Sequence, residues 1–219
     1  MKFLLTSLGI KNNDIAEALS TLAGKPLSEL HILFVPTAAN TEGGDKGWII
    51  DNLVDFQKRN FKSIDILDVA AVSEDIWKKR FLEKDVICFG GGNEKYLAEV
   101  FEKVGMKEFL ATLKEKVYLG ISAGAMVVGK FIPNELYSRI YPEENFVDTS
   151  SASPMELYDF CFIPHLNSSY FNHIRKETLE EVKDTFDATV YATDDETAVT
   201  IDGDNLKIVG KGTSWVHYK

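Results

Sequence analysis

Between residues 3 and 121 short apolar runs alternate with amphipathic stretches, and that alternation leaves few folds open to the chain. The runs at 3–7, 31–35, 64–69, 85–89 and 117–119 read as strands. Those at 31–35 and 86–89 are apolar throughout, the pattern of strands buried on both faces. Between them, 14–23, 47–61, 74–81, 93–104 and 107–116 have helical spacing. Ile15, Leu19 and Leu22 share one face of the first, and Ile50, Leu53, Val54, Phe56 and Phe61 fall near one face of the second. Strand–helix alternation of this kind predicts an α/β fold with a mostly parallel sheet and helices on both faces.

Beyond Lys130 the periodicity fades until about Tyr158, with Pro133, Pro142 and Pro154 scattered through a polar stretch. A long segment without periodicity reads as a functional loop. A further strand then ends at His165, a helix covers 174–186, and a strand runs 189–192. Short strands at 198–201 and 206–209, joined by Gly203-Asp204, predict a terminal hairpin on the sheet edge. There is no internal repeat or linker, so the 219 residues read as one domain.

The net charge of −10 excludes a nucleic-acid partner, which calls for a basic stripe, and disfavours an anionic membrane surface. Cys88 and Cys161 lie in apolar strands, as reduced core residues of a cytoplasmic protein do. They have no metal-ligand spacing, and no cofactor is expected. The first ten residues hold an apolar stretch broken by Thr6 and Ser7 with no cleavage signal after it, and read as the first strand. No run is long enough for a transmembrane helix.

Residues 120–124 read Gly-Ile-Ser-Ala-Gly, directly after the apolar Val117-Tyr118-Leu119 and before the small Ala125-Met126-Val127-Val128. A G-x-S-x-G pattern between strand and helix is the mark of a nucleophile elbow, which thrusts the serine hydroxyl out above the sheet. Ligands of open parallel sheets gather outside the carboxyl ends of the strands. Four predicted strand ends carry chemistry there: Gly90-Gly91-Gly92-Asn93, Ser122, Pro164-His165 and Asp194-Asp195-Glu196. They supply backbone N–H groups, a hydroxyl, an imidazole and carboxylates, the parts for serine-based acyl transfer.

The glycine run does not fit a dinucleotide or P-loop pattern, since Lys95 stands where a third glycine belongs. It suits an oxyanion element, with Ala123 giving the second N–H. Of four histidines, His31 opens a core strand and His217 lies near the end. His165 is the candidate base and His173 the reserve. Among Asp194, Asp195 and Glu196, one register alone can aim at the base, because neighbours in an extended chain point to opposite faces.

Taken together, Gly-Gly-Gly-Asn before a helix, the Gly-x-Ser-Ala-Gly-Ala elbow, the Pro-His strand end and the acidic strand end before Thr-Ala-Val resemble the peptidase E family. Its members are aspartyl dipeptidases, cyanophycinases and related serine peptidases, and the resemblance spans about residues 1–212. It implies a fold similar to class I glutamine amidotransferases, flavodoxin-like, and a single peptidase domain. By its motifs Ser122 matches the nucleophile, Gly91 and Ala123 the oxyanion donors, and Asp195 the acid, by register with Thr197-Ala198-Val199. The acid is aspartate where the family has glutamate, with Glu196 adjacent. Alignment through Phe171 would place Tyr170 at the histidine, whereas alignment through Pro164 keeps His165.

Gly92 and Asn93 are then expected at the substrate, and Arg175 or Arg139 is expected to hold an aspartate side chain. The implied function is hydrolysis of small peptides, including dipeptides with N-terminal aspartate, through an acyl-enzyme. The alternatives are an amidotransferase-like binding protein without catalysis and a serine esterase or amidase using the same site.

Overall fold

A computed structural model describes residues 1–142 and 152–219. The first half alternates as expected: β1 (Lys2–Thr6), α1 (Asn13–Ala23), β2 (His31–Val35), α2 (Gly47–Lys58), β3 (Ser63–Ile66), α3 (Glu74–Leu82), β4 (Val86–Phe89), α4 (Glu94–Val104), α5 (Met106–Thr112) and β5 (Val117–Ile121). Local chemistry sets several boundaries. Asn12 caps α1 by accepting the Ile15 N–H, and Gly24 ends it in the left-handed conformation. Asn93 does the same for α4 through the Tyr96 N–H, and Gly105 ends that helix.

Seven strands form one sheet in the order β3-β2-β4-β5-β1-β8-β9, where β8 is Thr197–Asp202 and β9 is Asn205–Gly210. The first five are mutually parallel. β8 and β9 pair antiparallel at one edge, the expected hairpin. Alternate residues of each strand feed two cores. On one face Leu4, Phe34, Cys88 and Leu119 meet Ile15, Leu19 and Leu22 of α1 and Phe56 of α2. On the other Leu5, Leu33, Phe89 and Tyr118 meet Trp77 and Phe81 of α3 and Leu97 and Phe101 of α4.

The second half differs from expectation in two ways. The strands ending at His165 and Thr193, β6 (Phe160–Ile163) and β7 (Thr189–Thr193), do not join the large sheet. They pair with each other in parallel and, through β7, with β10 (Ser214–His217), an antiparallel strand at the tail that the short run Ser-Trp-Val-His does not announce. This small sheet packs into the core of the second face through Phe160, Phe162, Val190 and Ala192. Secondly, the stretch expected as loop contains the helix α7 (Asn134–Ile140), with Leu136, Tyr137 and Ile140 buried. The rest of that expected loop, 143–151, lies outside the described residues. The helix expected at 174–186 is shorter, α8 (Lys176–Val182), followed by one 3-10 turn.

The two sheets are stitched just beyond the serine elbow. Lys130 N–H donates to the Phe160 carbonyl at 2.7 Å, and the Met155 and Leu157 N–H groups donate to the Val127 and Val128 carbonyls. Gly129 is required there, since a Cβ would lie 2.1 Å from the Phe160 carbonyl oxygen. Residues placed by different sheets can therefore meet at one rim.

Candidate active site

β5 ends at Ile121, and the chain reverses into a short helix, α6 (Ala123–Met126). Ser122 sits between them at φ 50°, ψ −112°, a left-handed conformation that L residues avoid. The turn holds because the residues two before and two after the serine are glycine. A Cβ on Gly120 would lie 2.7 Å from Ala125 Cα, and one on Gly124 would lie 2.2 Å from the Phe89 carbonyl oxygen. The Ser122 N–H donates to the Thr6 carbonyl at 2.9 Å, tying the elbow to the end of β1.

His165 follows β6, is 6% exposed, and also has a positive φ of 64°. Its Nε2 is 3.1 Å from Ser122 Oγ and its Nδ1 is 2.7 Å from Asp195 Oδ1. A carboxylate offers only acceptors, so the contact with Asp195 places the ring proton on Nδ1 and turns the Nε2 lone pair to the serine hydroxyl. The Phe171 ring stacks on the imidazole with centroids 4.7 Å apart.

The three consecutive acids separate cleanly. Asp195 reaches His165. Asp194 closes its own turn, accepting the Glu196 N–H at 3.0 Å and both the N–H and hydroxyl of Thr213. The Glu196 side chain is exposed, while its carbonyl accepts the Asn12 side-chain amide. His173, the reserve base, is an exposed residue that makes neither of these contacts with Ser122 or Asp195.

Ser122, His165, Gly91 and Gly92 line one cleft of about 540 Å³. A Cβ on Gly91 would lie 3.4 Å from Ser122 Cβ, so the glycine loop passes directly beside the hydroxyl. Gly92 has φ 126° and a Cβ there would meet the Ala38 carbonyl oxygen at 2.3 Å. Three sequence expectations are displaced. The Asn93 side chain caps α4 and is absent from the cleft lining. Arg175 donates to the Phe171 and Ile174 carbonyls, and Arg139 pairs with Glu181 at 3.7 Å; neither lines the cleft.

The cleft is also lined by residues the sequence did not mark, Glu42, Asp45, Trp48, Asp51 and Asn52 around the start of α2, and by Tyr170 and Phe171. The glycine- and acid-rich stretch Glu-Gly-Gly-Asp-Lys-Gly at 42–47 is the signal that could have flagged this loop. Among the described residues no cluster of three or more His, Cys, Asp and Glu is arranged to hold a metal ion.

The model of peptidase family S51 matches residues 3–209, nearly the whole chain. The chain belongs to peptidase family S51. Over 171 residues, about three quarters of each partner, it is 26% identical to an uncharacterized peptidase from Listeria monocytogenes and to another from Listeria innocua. In fold it is similar to a crystal structure of a candidate peptidase E protein from Listeria monocytogenes. That match has a TM-score of 0.74 at 22% identity and covers 97% of this chain and 98% of that one. A peptidase from an acI-B1 actinobacterium matches with a TM-score of 0.70 at 21% identity, over 97% and 88%. This S51 member is a serine-type peptidase of the peptidase E family, with an α/β architecture. Among its described residues no helix is long and apolar enough to cross a membrane.

Proposed function

We propose that this S51 peptidase hydrolyses small peptides by serine-based acyl transfer, acting as one domain over residues 1–219 in the cytoplasm. The observation that carries the reading is the unbroken line Ser122 Oγ, His165, Asp195 at 3.1 and 2.7 Å, opening on a cleft large enough for a short peptide. Ser122 Oγ attacks the scissile carbonyl as Nε2 of His165 takes its proton. Asp195 holds the Nδ1 proton and stabilises the imidazolium. The Gly91 and Ala123 N–H groups, neither of which donates to a described residue, stabilise the tetrahedral oxyanion. The C–N bond then breaks, His165 gives its proton to the leaving amine, and an ester to Ser122 remains. Water attacks that ester while His165 again accepts a proton, releasing the carboxylic product and the free serine. The two buried free cysteines fit a reducing compartment.

The charge of the cleft bears on which peptides enter. Its side chains include three carboxylates, Glu42, Asp45 and Asp51, and one cation, Lys11, which is already bound to Asp55 at 2.6 Å. This lining supports neutral or basic residues beside the scissile bond over an N-terminal aspartate. A panel of dipeptides with N-terminal Asp, Ala or Lys, together with simple esters, tests both levels. Peptides are expected to exceed esters, and Lys or Ala to exceed Asp in kcat/KM. Ser122→Ala should lose at least ~10³-fold. Undiminished hydrolysis by that variant overturns the mechanism, and a preference for Asp overturns the substrate reading alone.

A further inference from the structure

Ser7 is the first residue beyond β1 and is fully buried, and the mechanism above gives it no task. Its hydroxyl accepts the His165 backbone N–H at 3.0 Å and donates to the Thr193 carbonyl at 2.7 Å. The Thr193 hydroxyl lies 3.0 Å away, and with the Ser7 proton committed to the carbonyl this contact has Thr193 as donor. One hydroxyl thus uses its single proton and both lone pairs, away from water. Its partners are the residue that carries the imidazole and the residue two before Asp195. The Thr193 carbonyl also accepts the Leu166 N–H at 3.0 Å, closing the junction from the other side.

The neighbouring residue completes the arrangement. Thr6 points to the opposite side of the strand and serves the elbow: its carbonyl accepts the Ser122 N–H, and its hydroxyl donates to the Gly120 carbonyl at 2.8 Å. Two consecutive residues at the end of β1 therefore bind the nucleophile turn on one side and the base and acid strands on the other. The nucleophile stands on the large sheet and the base follows β6 of the small one, while Asp195 lies on the turn from β7 of the small sheet to β8 of the large one, so their alignment depends on contacts that cross between sheets. The left-handed backbone at His165 is a strained state, kept only where surrounding contacts over-determine it. Its N–H bond to Ser7 is such a contact.

We infer that Ser7 is a positioning residue that sets the register of His165 and Asp195 against Ser122. The inference rests on the triad reading above. Misplacement of a catalytic group by ~1 Å costs about 10²-fold in rate. Ser7→Ala is therefore expected to lower kcat on the best dipeptide by roughly 10–100-fold with KM within about threefold, and to move the acid limb of the kcat–pH profile. The low-field proton resonance of a His Nδ1–H bound to carboxylate should shift or broaden. Ser7→Thr, which keeps the hydroxyl, should recover most of the rate. Thr200→Ala, another buried hydroxyl on β8 outside the cleft, controls for general loosening and should leave kcat unchanged. Should Ser7→Ala fail to fold, Ser7→Cys keeps the volume and weakens the hydrogen bonds. Wild-type kcat and pH profile in a folded Ser7→Ala or Ser7→Cys protein, with Ser122→Ala inactive, overturns the role of Ser7 alone. Activity retained in Ser122→Ala overturns the triad instead.

Discussion

His165 is held by three kinds of contact at once: a carboxylate on Nδ1, an aromatic ring on its face and a buried hydroxyl on its N–H. The first decides which nitrogen carries the proton. Asp195→Asn keeps the size but presents an amide that can donate, which favours the tautomer with the proton facing Ser122. The expected outcome is a fall in kcat of about 10⁴-fold with little change in KM, read from steady-state kinetics. The two thiols should be silent. Burial pushes the Cys161 thiol up to about 12 and raises Cys88 well above its usual value. Iodoacetamide at pH 8 should leave both unlabelled in the native protein and modify them on unfolding, with mass spectrometry as the check.

The strand–turn–helix elbow is the element on which the site depends, and its glycines are there for space. In Gly124→Ala the new methyl would sit against the Phe89 carbonyl, which belongs to the neighbouring strand β4 and cannot swing aside. Overpacking of this kind costs about 1–3 kcal/mol. A lower urea midpoint and a weakened reaction of Ser122 with a fluorophosphonate are expected together, because the same shift opens the turn. The elbow was legible in the sequence because its requirements are local: a buried strand, two glycines and a small-residue helix start. The caps at Asn12 and Asn93 emerged only in the structure, where each accepts a backbone N–H at its helix start. Asn93, expected at the substrate, has its side-chain oxygen engaged by the Tyr96 N–H and does not line the cleft. Arg175 likewise is turned to carbonyls of its own loop. Such destinations depend on competing partners that spacing does not reveal.

At the scale of the molecule, the proposed site and a contact that bears on acid stability lie at opposite ends of the large sheet. Asp85 stands where β4 begins, away from the cleft. Burial alone would raise its carboxyl, but the His31 N–H at 2.8 Å and the Lys25 ammonium at 2.8 Å outweigh that and hold it below the usual 3.8. A carboxyl depressed by folding contributes stability above its unfolded value and loses it as pH falls through the folded one. Asp85→Asn should therefore be less stable than the parent at pH 7, with the gap shrinking below about pH 4. Urea unfolding at several pH values measures it. The kcat–pH profile of the same variant should stay unchanged.

Strand and helix alternation, the serine elbow and the histidine that ends a strand were determined by sequence alone, since each follows from residues within one or two turns. Only the tertiary structure decided that β6 and β7 form a separate sheet, because an apolar run does not state its pairing partner. Which of Asp194, Asp195 and Glu196 reaches His165 was decided there as well. Asp194 is captured by Thr213, brought alongside by β10, and that leaves Asp195 to face His165. Ser7, 158 residues from His165 along the chain, came to accept its N–H in the same way. Contacts between sheets follow from how two cores pack, and no local pattern encodes them.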